Sequence, residues 1–259
     1  MIKVGIVGMG VIGTHIAKAI ANGIHGITLS GVTVRRPTTA GGLPAFSIEE
    51  LIHRSDLVVE AATQFALREF APAVLTAGRN LMVLSVGGLV GVLDEWAKLA
   101  DAHGARILVP SGAIAGLDGM KGAREGAITS VTMETRKPPR GLAGAPYVVQ
   151  QRIDLDAIKA ETLIFEGPAA EAVKAFPANV NVVAALSLAG VGPERTRIKI
   201  FAVPGQERNQ HRIVIAGEFG RLRIEVENVP SENPRTGKLS YLSAIAMLRE
   251  LGTAVRVGN

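Results

Sequence analysis

Through the first 115 residues, short apolar runs alternate with helical patterns. The runs predict strands at residues 2–7, 27–34, 57–61, 81–86 and 106–109, each short and rich in apolar and β-branched residues. Strands of that kind are buried on both faces, and helices between them make a parallel sheet with crossover connections. Helices are predicted at residues 11–21 and 47–53. Ser47 and Glu50 stand in the S-x-x-E spacing that satisfies orphan amides at a helix start.

Beyond about residue 115 the rhythm changes. Residues 127–136, 195–203, 212–216 and 221–227 alternate in period two. In the last, Arg221, Arg223, Glu225 and Glu227 share one face, and Leu222, Ile224 and Val226 the other. One wet face marks an antiparallel sheet covered on one side, and residues 217–220 suit a hairpin. Helical patterns fall at residues 169–175, 180–189 and 240–251. The fold class is therefore α/β, a doubly wound parallel sheet over residues 1–115 plus a second α+β domain over 116–231 with a mainly antiparallel sheet. The closing segment, about 232–259, is expected to pack back on the first domain.

Composition narrows the class further. Hydrophobic residues are 47% and charged residues 20% of the 259, as in ordinary globular proteins. The formal charge is +5, yet no dense basic run is interleaved with aromatics, which are only 4%. Nucleic acid is not the expected partner; the positive balance suits small anions. Cysteine is absent, which removes disulfides, thiolate metal sites and a cysteine nucleophile. No metal-ligand cluster is evident. The start MIKVGIVGMG lacks the pattern of a signal peptide, and no apolar stretch suits a membrane span. A cytoplasmic protein is expected.

Gly8, Gly10 and Gly13 form G-x-G-x-x-G directly after the first strand and open a helix. The first glycine permits the tight turn, the second lets a pyrophosphate approach the backbone, and the third allows close helix–strand contact. Val11 and Ile12 belong to the same turn. In that context the pattern predicts a Rossmann dinucleotide site. The end of the second strand reads Val34-Arg35-Arg36-Pro37, with no carboxylate for a ribose 2′-hydroxyl. Arg35 and Arg36 suit the 2′-phosphate of NADP, although two solvated loop arginines would look the same.

Other polar positions carry two readings each. Asn181, in Asn179-Val180-Asn181, could bond a nicotinamide carboxamide or cap a helix. Gln64 could line the cofactor cleft, or belong with Thr63 to a plain loop. The small residues 111–116 suit approach to a flat ring or an interdomain joint. Lys137 is a plausible carboxylate contact or a solvated lysine on an edge strand. Of His15, His25, His53, His103 and His211, only the last falls in the second domain, at the mouth of a strand. Imidazole of near-neutral pKa could accept and return a proton; a hydrogen-bonded structural histidine is the alternative.

The sequence resembles the L-aspartate dehydrogenase family over nearly its whole length. The resemblance is carried by GMGVIG, VVEAATQ, LSVGGL, PSGAIAGLDG, TRKPP, FPANVNVVAALSLAG, HRIVIAGEFG and NPRTGKLSYLSAI. It implies a homodimeric enzyme that oxidises L-aspartate with NAD or NADP. The product is iminosuccinate, which hydrolyses to oxaloacetate and ammonia or enters NAD biosynthesis. It also implies that Ala115 and Asn181 contact the cofactor and that His211 is catalytic. Gly88, and the pair Gly237-Lys238, depart from the small side chains more usual at those positions. Two rivals are a reductase of another small dicarboxylate or cyclic imine, such as dihydrodipicolinate, and a non-catalytic NADP sensor.

Overall fold

The computed structural model describes residues 1–36, 40–178, 180–232 and 236–258. Pro37, Asn179, Asn233, Pro234 and Arg235, which figure in the motifs above, lie outside the described residues. The chain divides into two compact units, one of Met1–Gly112 with Tyr241–Val257, the other mainly Ala113–Ser240. Residues 113–115, 232 and 236–240 thus group with the second unit.

Unit one is built on five parallel strands, β1 (Ile2–Val7), β2 (Ile27–Thr33), β3 (Leu57–Glu60), β4 (Asn80–Val83) and β5 (Ile107–Leu108). Their order is β2-β1-β3-β4-β5. The order in which strands are added reverses between β1 and β3, the switch point where doubly wound sheets open a crevice at their carboxyl ends. Helices α1 (Val11–Ala21), α2 (Ile48–Arg54), α3 (Gln64–Thr76) and α4 (Leu93–Ala102) are the crossovers. The capping box of α2 forms as its spacing predicts, Glu50 N–H donating to Ser47 Oγ and Ser47 N–H to the Glu50 carboxylate. Val4, Ile6, Ile16, Ile20, Leu57 and Val59 are core residues, joined by Ala244 and Leu248 from the last helix. That helix presents Tyr241, Ala244 and Leu248 on one apolar stripe, and Tyr241 stacks on His15 with ring centroids 4.0 Å apart.

Unit two opens with α5 (Leu117–Ala123) and β6 (Ile128–Lys137). Next come α6 (Pro146–Gln150), β7 (Thr162–Pro168), α7 (Ala169–Ala175) and α8 (Asn181–Ala189). It closes with β8 (Thr196–Ala202), β9 (Asn209–Gly217) and β10 (Gly220–Asn228), and the last helix of the chain is α9 (Leu239–Leu251). The sheet order is β10-β9-β6-β8-β7. Three of its four pairings are antiparallel, while β6 and β8 run parallel. Strand β7 escapes the alternation argument because its register slips between Leu163 and Phe165, breaking period two. One face of the sheet is buried through Val131 and Met133 on β6, Ile213 and Ile215 on β9, and Ile198 and Ile200 on β8. The opposite face carries the charges.

Candidate active site

In unit one the glycine turn has a steric reason at Gly8 and Gly13 and an open approach at Gly10. Gly8 sits at φ +94°, and a Cβ there would stand 2.6 Å from the Ala61 carbonyl oxygen beyond β3. A Cβ on Gly13 would collide with the Gly8 carbonyl oxygen, so α1 packs against its own turn only without a side chain. At Gly10, N-cap of α1, nothing lies within 4 Å of the Cβ direction. That open approach at the start of an eleven-residue helix is the geometry a phosphate uses, and the residues fit a dinucleotide. Val11 and Ile12 are the first two residues of that helix. Arg35 and Arg36 follow β2 and are exposed.

Beside this turn stands a feature the sequence reading did not find. Glu60, the last residue of β3, is fully buried. Its Oε1 accepts from Ala62 N–H and Ser85 Oγ–H, both at 2.8 Å, and its Oε2 from Ser85 N–H at 2.8 Å and Leu84 N–H at 3.2 Å. Burial pushes the carboxyl above its ordinary value against the pull of these four donors. The carboxylate ties the loop after β3 to the loop after β4. Gln64 is no loop residue but the first of α3, behind the N-cap Thr63. Its side chain occupies the space a Cβ on Gly87 would need. A Cβ on Gly88 would meet Leu67 Cδ2 at 2.9 Å, which accounts for that departure from the family pattern.

In unit two, strand parity builds the second constellation. The alternation that buries Ile213 and Ile215 also turns His211 and Asn209 inward, and on β6 it carries Met133 on to Thr135 and Lys137. The inner face therefore runs from apolar to polar at one end. There it lines a cavity of about 60 Å³ with Lys137, Asn181, Asn209, His211, Asn228 and Ser240. Thr135 and His211 are cross-strand partners, with Oγ1 and Nδ1 3.1 Å apart. Asn228 donates from Nδ2 to the Ala113 carbonyl at 2.7 Å.

Electrostatics here correct two expectations. His211, expected at the mouth of a strand with a near-neutral pKa, is the third residue of β9 and 4% exposed. Burial, with the Lys137 cation second, lowers its pKa from 6.5 to about 3. Lys137 is not a solvated edge lysine. It closes the central strand β6, is 4% exposed, and burial lowers its pKa from 10.5 to about 8. Asn181 does not cap α8, whose N-cap is Val180; it is the first residue of the helix and faces the cavity. Ala115 lies exposed in the loop before α5.

Known proteins resemble the chain over its whole length. A family profile described as aspartate dehydrogenase, C-terminal, matches residues 118–251, and one described as homoserine dehydrogenase, NAD binding domain, matches residues 8–110. L-aspartate dehydrogenase of Methanosarcina acetivorans is 46% identical, with all of both chains covered. The chain belongs to the L-aspartate dehydrogenase family. A Bradyrhizobium diazoefficiens L-aspartate dehydrogenase is 45% identical over all of this chain and 94% of its own length. The crystal structure of aspartate dehydrogenase from Thermotoga maritima superposes with a TM-score of 0.79 at 26% identity, both chains fully covered. In this aspartate dehydrogenase fold Gly237 also has a local reason. A Cβ there would stand 2.9 Å from the Asn228 Cβ, crowding the residue that holds the Ala113 carbonyl.

Proposed function

We propose that the chain oxidises L-aspartate to iminosuccinate with NAD or NADP, water then releasing oxaloacetate and ammonia. The observation that carries this reading is a buried histidine paired with a hydroxyl beside a buried lysine, in a chain matched end to end by L-aspartate dehydrogenases. We assign the pyrophosphate to Gly8, Gly10, Val11, Ile12 and Gly13 at the start of α1, and a 2′-phosphate to Arg35 and Arg36. Gln64, and Ala115 and Asn181 on the positions the family resemblance gives them, are assigned to further cofactor contacts. When bound, the cofactor supplies the hydride acceptor.

The chain's own residues manage protons. Hydride leaves the aspartate Cα only when the amine is neutral, because its lone pair must close the C=N bond. His211, held neutral by burial, accepts the ammonium proton. To do so it uses the tautomer in which Nδ1–H donates to Thr135 Oγ1, leaving Nε2 bare. Thr135 is then a positioning residue. The protonated imidazole returns its proton to the departing ammonia during hydrolysis. Assembly as a homodimer and a cytoplasmic location are proposed on the family's account; no helix among the described residues is long and apolar enough to cross a membrane.

The test is a screen of amino acids with each cofactor, read by absorbance of the reduced nicotinamide. L-Aspartate should be oxidised in strong preference to L-glutamate and L-alanine. Equal rates on the three would refute the substrate, and cofactor binding without any turnover would favour the sensor.

A further inference from the structure

Lys137 takes no part in these proton transfers, although its side chain is almost fully buried. Lysine is almost never fully enclosed, since removing an ammonium from water is costly. Here it ends the central strand of a sheet and lines the same cavity as His211. Among apolar residues such as Val182, the polar part of the described lining is the amides Asn181, Asn209 and Asn228, the hydroxyls of Thr236 and Ser240, and the imidazole. That lining contains no carboxylate. A cavity furnished with one cation and several neutral hydrogen-bonding groups is complementary to an oxyanion.

We propose that Lys137 is the carboxylate anchor of this pocket, holding one carboxylate of a dicarboxylate substrate beside His211. The proposal rests on the aspartate reading above and names the residue that would make the site prefer two acidic ends to one. It has a consequence for the base. Lys137 is the second cause, after burial, of the lowered basicity of His211. A carboxylate seated on the ammonium offsets its charge, so an occupied pocket makes His211 a stronger base than an empty one. The substrate thereby prepares its own proton acceptor. The other charged groups near this end of β9, Arg136, Arg212, Glu225 and Glu227, line a second depression that His211 also borders. Arg212 and Glu225 are paired there at 2.8 Å, as are Arg136 and Glu134.

The test uses succinate, a dicarboxylate without an amine, as the binding probe, so that no turnover is needed. Calorimetric titration of the full chain with saturating cofactor should show succinate binding to the wild type and to Lys137→Arg. In Lys137→Met, which keeps the length of the stem, binding should weaken by about 10- to 100-fold, the loss of one charge-assisted contact. The KM for L-aspartate should rise by a similar factor with a smaller change in kcat, and Lys137→Arg should recover part of it. In the wild type, the His211 ring resonances should begin to titrate at higher pH when succinate is present, and this change should vanish in Lys137→Met. Unchanged succinate binding and KM in a folded Lys137→Met would overturn the proposal. So would a collapse of kcat at constant KM with loss of one limb of the pH profile, which would make Lys137 a proton-transfer group. If the wild type binds succinate through Lys137 but oxidises no aspartate, the anchor stands and the substrate assignment falls.

Discussion

Replacing Glu60 by glutamine preserves the shape of the side chain and reverses one of its two poles. All four groups around the carboxylate are donors. An amide NH2 at the Oε2 side would face two backbone N–H groups, Leu84 and Ser85, neither of which can accept. At the Oε1 side it would face Ala62 N–H and the Ser85 hydroxyl, and the hydroxyl can rotate to accept. The second orientation costs less and still leaves one buried amide without a partner, about 1–3 kcal/mol. Relief from burying a charge acts in the other direction but cannot supply the missing acceptor. Unit one should therefore lose about 1–3 kcal/mol. The single tryptophan, Trp96 on α4, is 4% exposed within unit one and reports its unfolding. With a urea dependence of about 2 kcal/mol per molar, the fluorescence midpoint should fall by roughly 0.5–1.5 M. Since the clamped loop includes Ala61, against which Gly8 packs, cofactor affinity should fall with it. A midpoint and cofactor affinity both equal to wild type would refute the four-donor argument.

Three further outcomes are expected. The His211 pKa is lowered from 6.5 to about 3, so between those values the unfolded chain binds a proton that the fold excludes. Stability is then fully present above pH 6.5 and falls by about 1.4 kcal/mol per unit as pH drops towards 3. Hydrogen-exchange opening energies for β9 amides should decline by about 2 kcal/mol from pH 6.5 to 5 in the wild type and not in His211→Gln; equal slopes would contradict the buried neutral imidazole. Gly13→Ala drives a Cβ into the Gly8 carbonyl and should weaken cofactor binding severalfold or more, measured by titration on folded protein; an unchanged dissociation constant would show that the turn is not the phosphate site. Arg35→Asp places a carboxylate where the 2′-phosphate is proposed to lie and should shift the ratio of kcat/KM values towards NAD, whereas an unaltered ratio would release Arg35 from that role.

Much of this protein is legible in the chain itself, and the reason is periodicity. Short, mostly apolar and β-branched runs separated by helical patterns point to a parallel sheet, so the sheet of unit one follows from the residues of β1 to β4. Gly8, Gly10 and Gly13 announce their turn by their spacing between β1 and α1, where a Cβ on Gly13 would meet the Gly8 carbonyl. The capping box of α2 is likewise a matter of three-residue spacing. Parity along β9 even contains the inward direction of His211, since Ile213 and Ile215 must face the core. What the chain alone leaves open is set by groups distant in sequence. Thr135 meets His211 across 76 positions, and Glu60 meets Ser85 across 25. Lys137 reads as a surface lysine until the strand order places β6 at the centre of the sheet, with β9 on one side and β8 on the other. Burial and neighbouring charge, which decide the pKa of His211 and Lys137, are properties of that enclosure and not of the residue types. Secondary structure follows local pattern; the chemistry of the pocket exists only once strands far apart in the chain share one sheet.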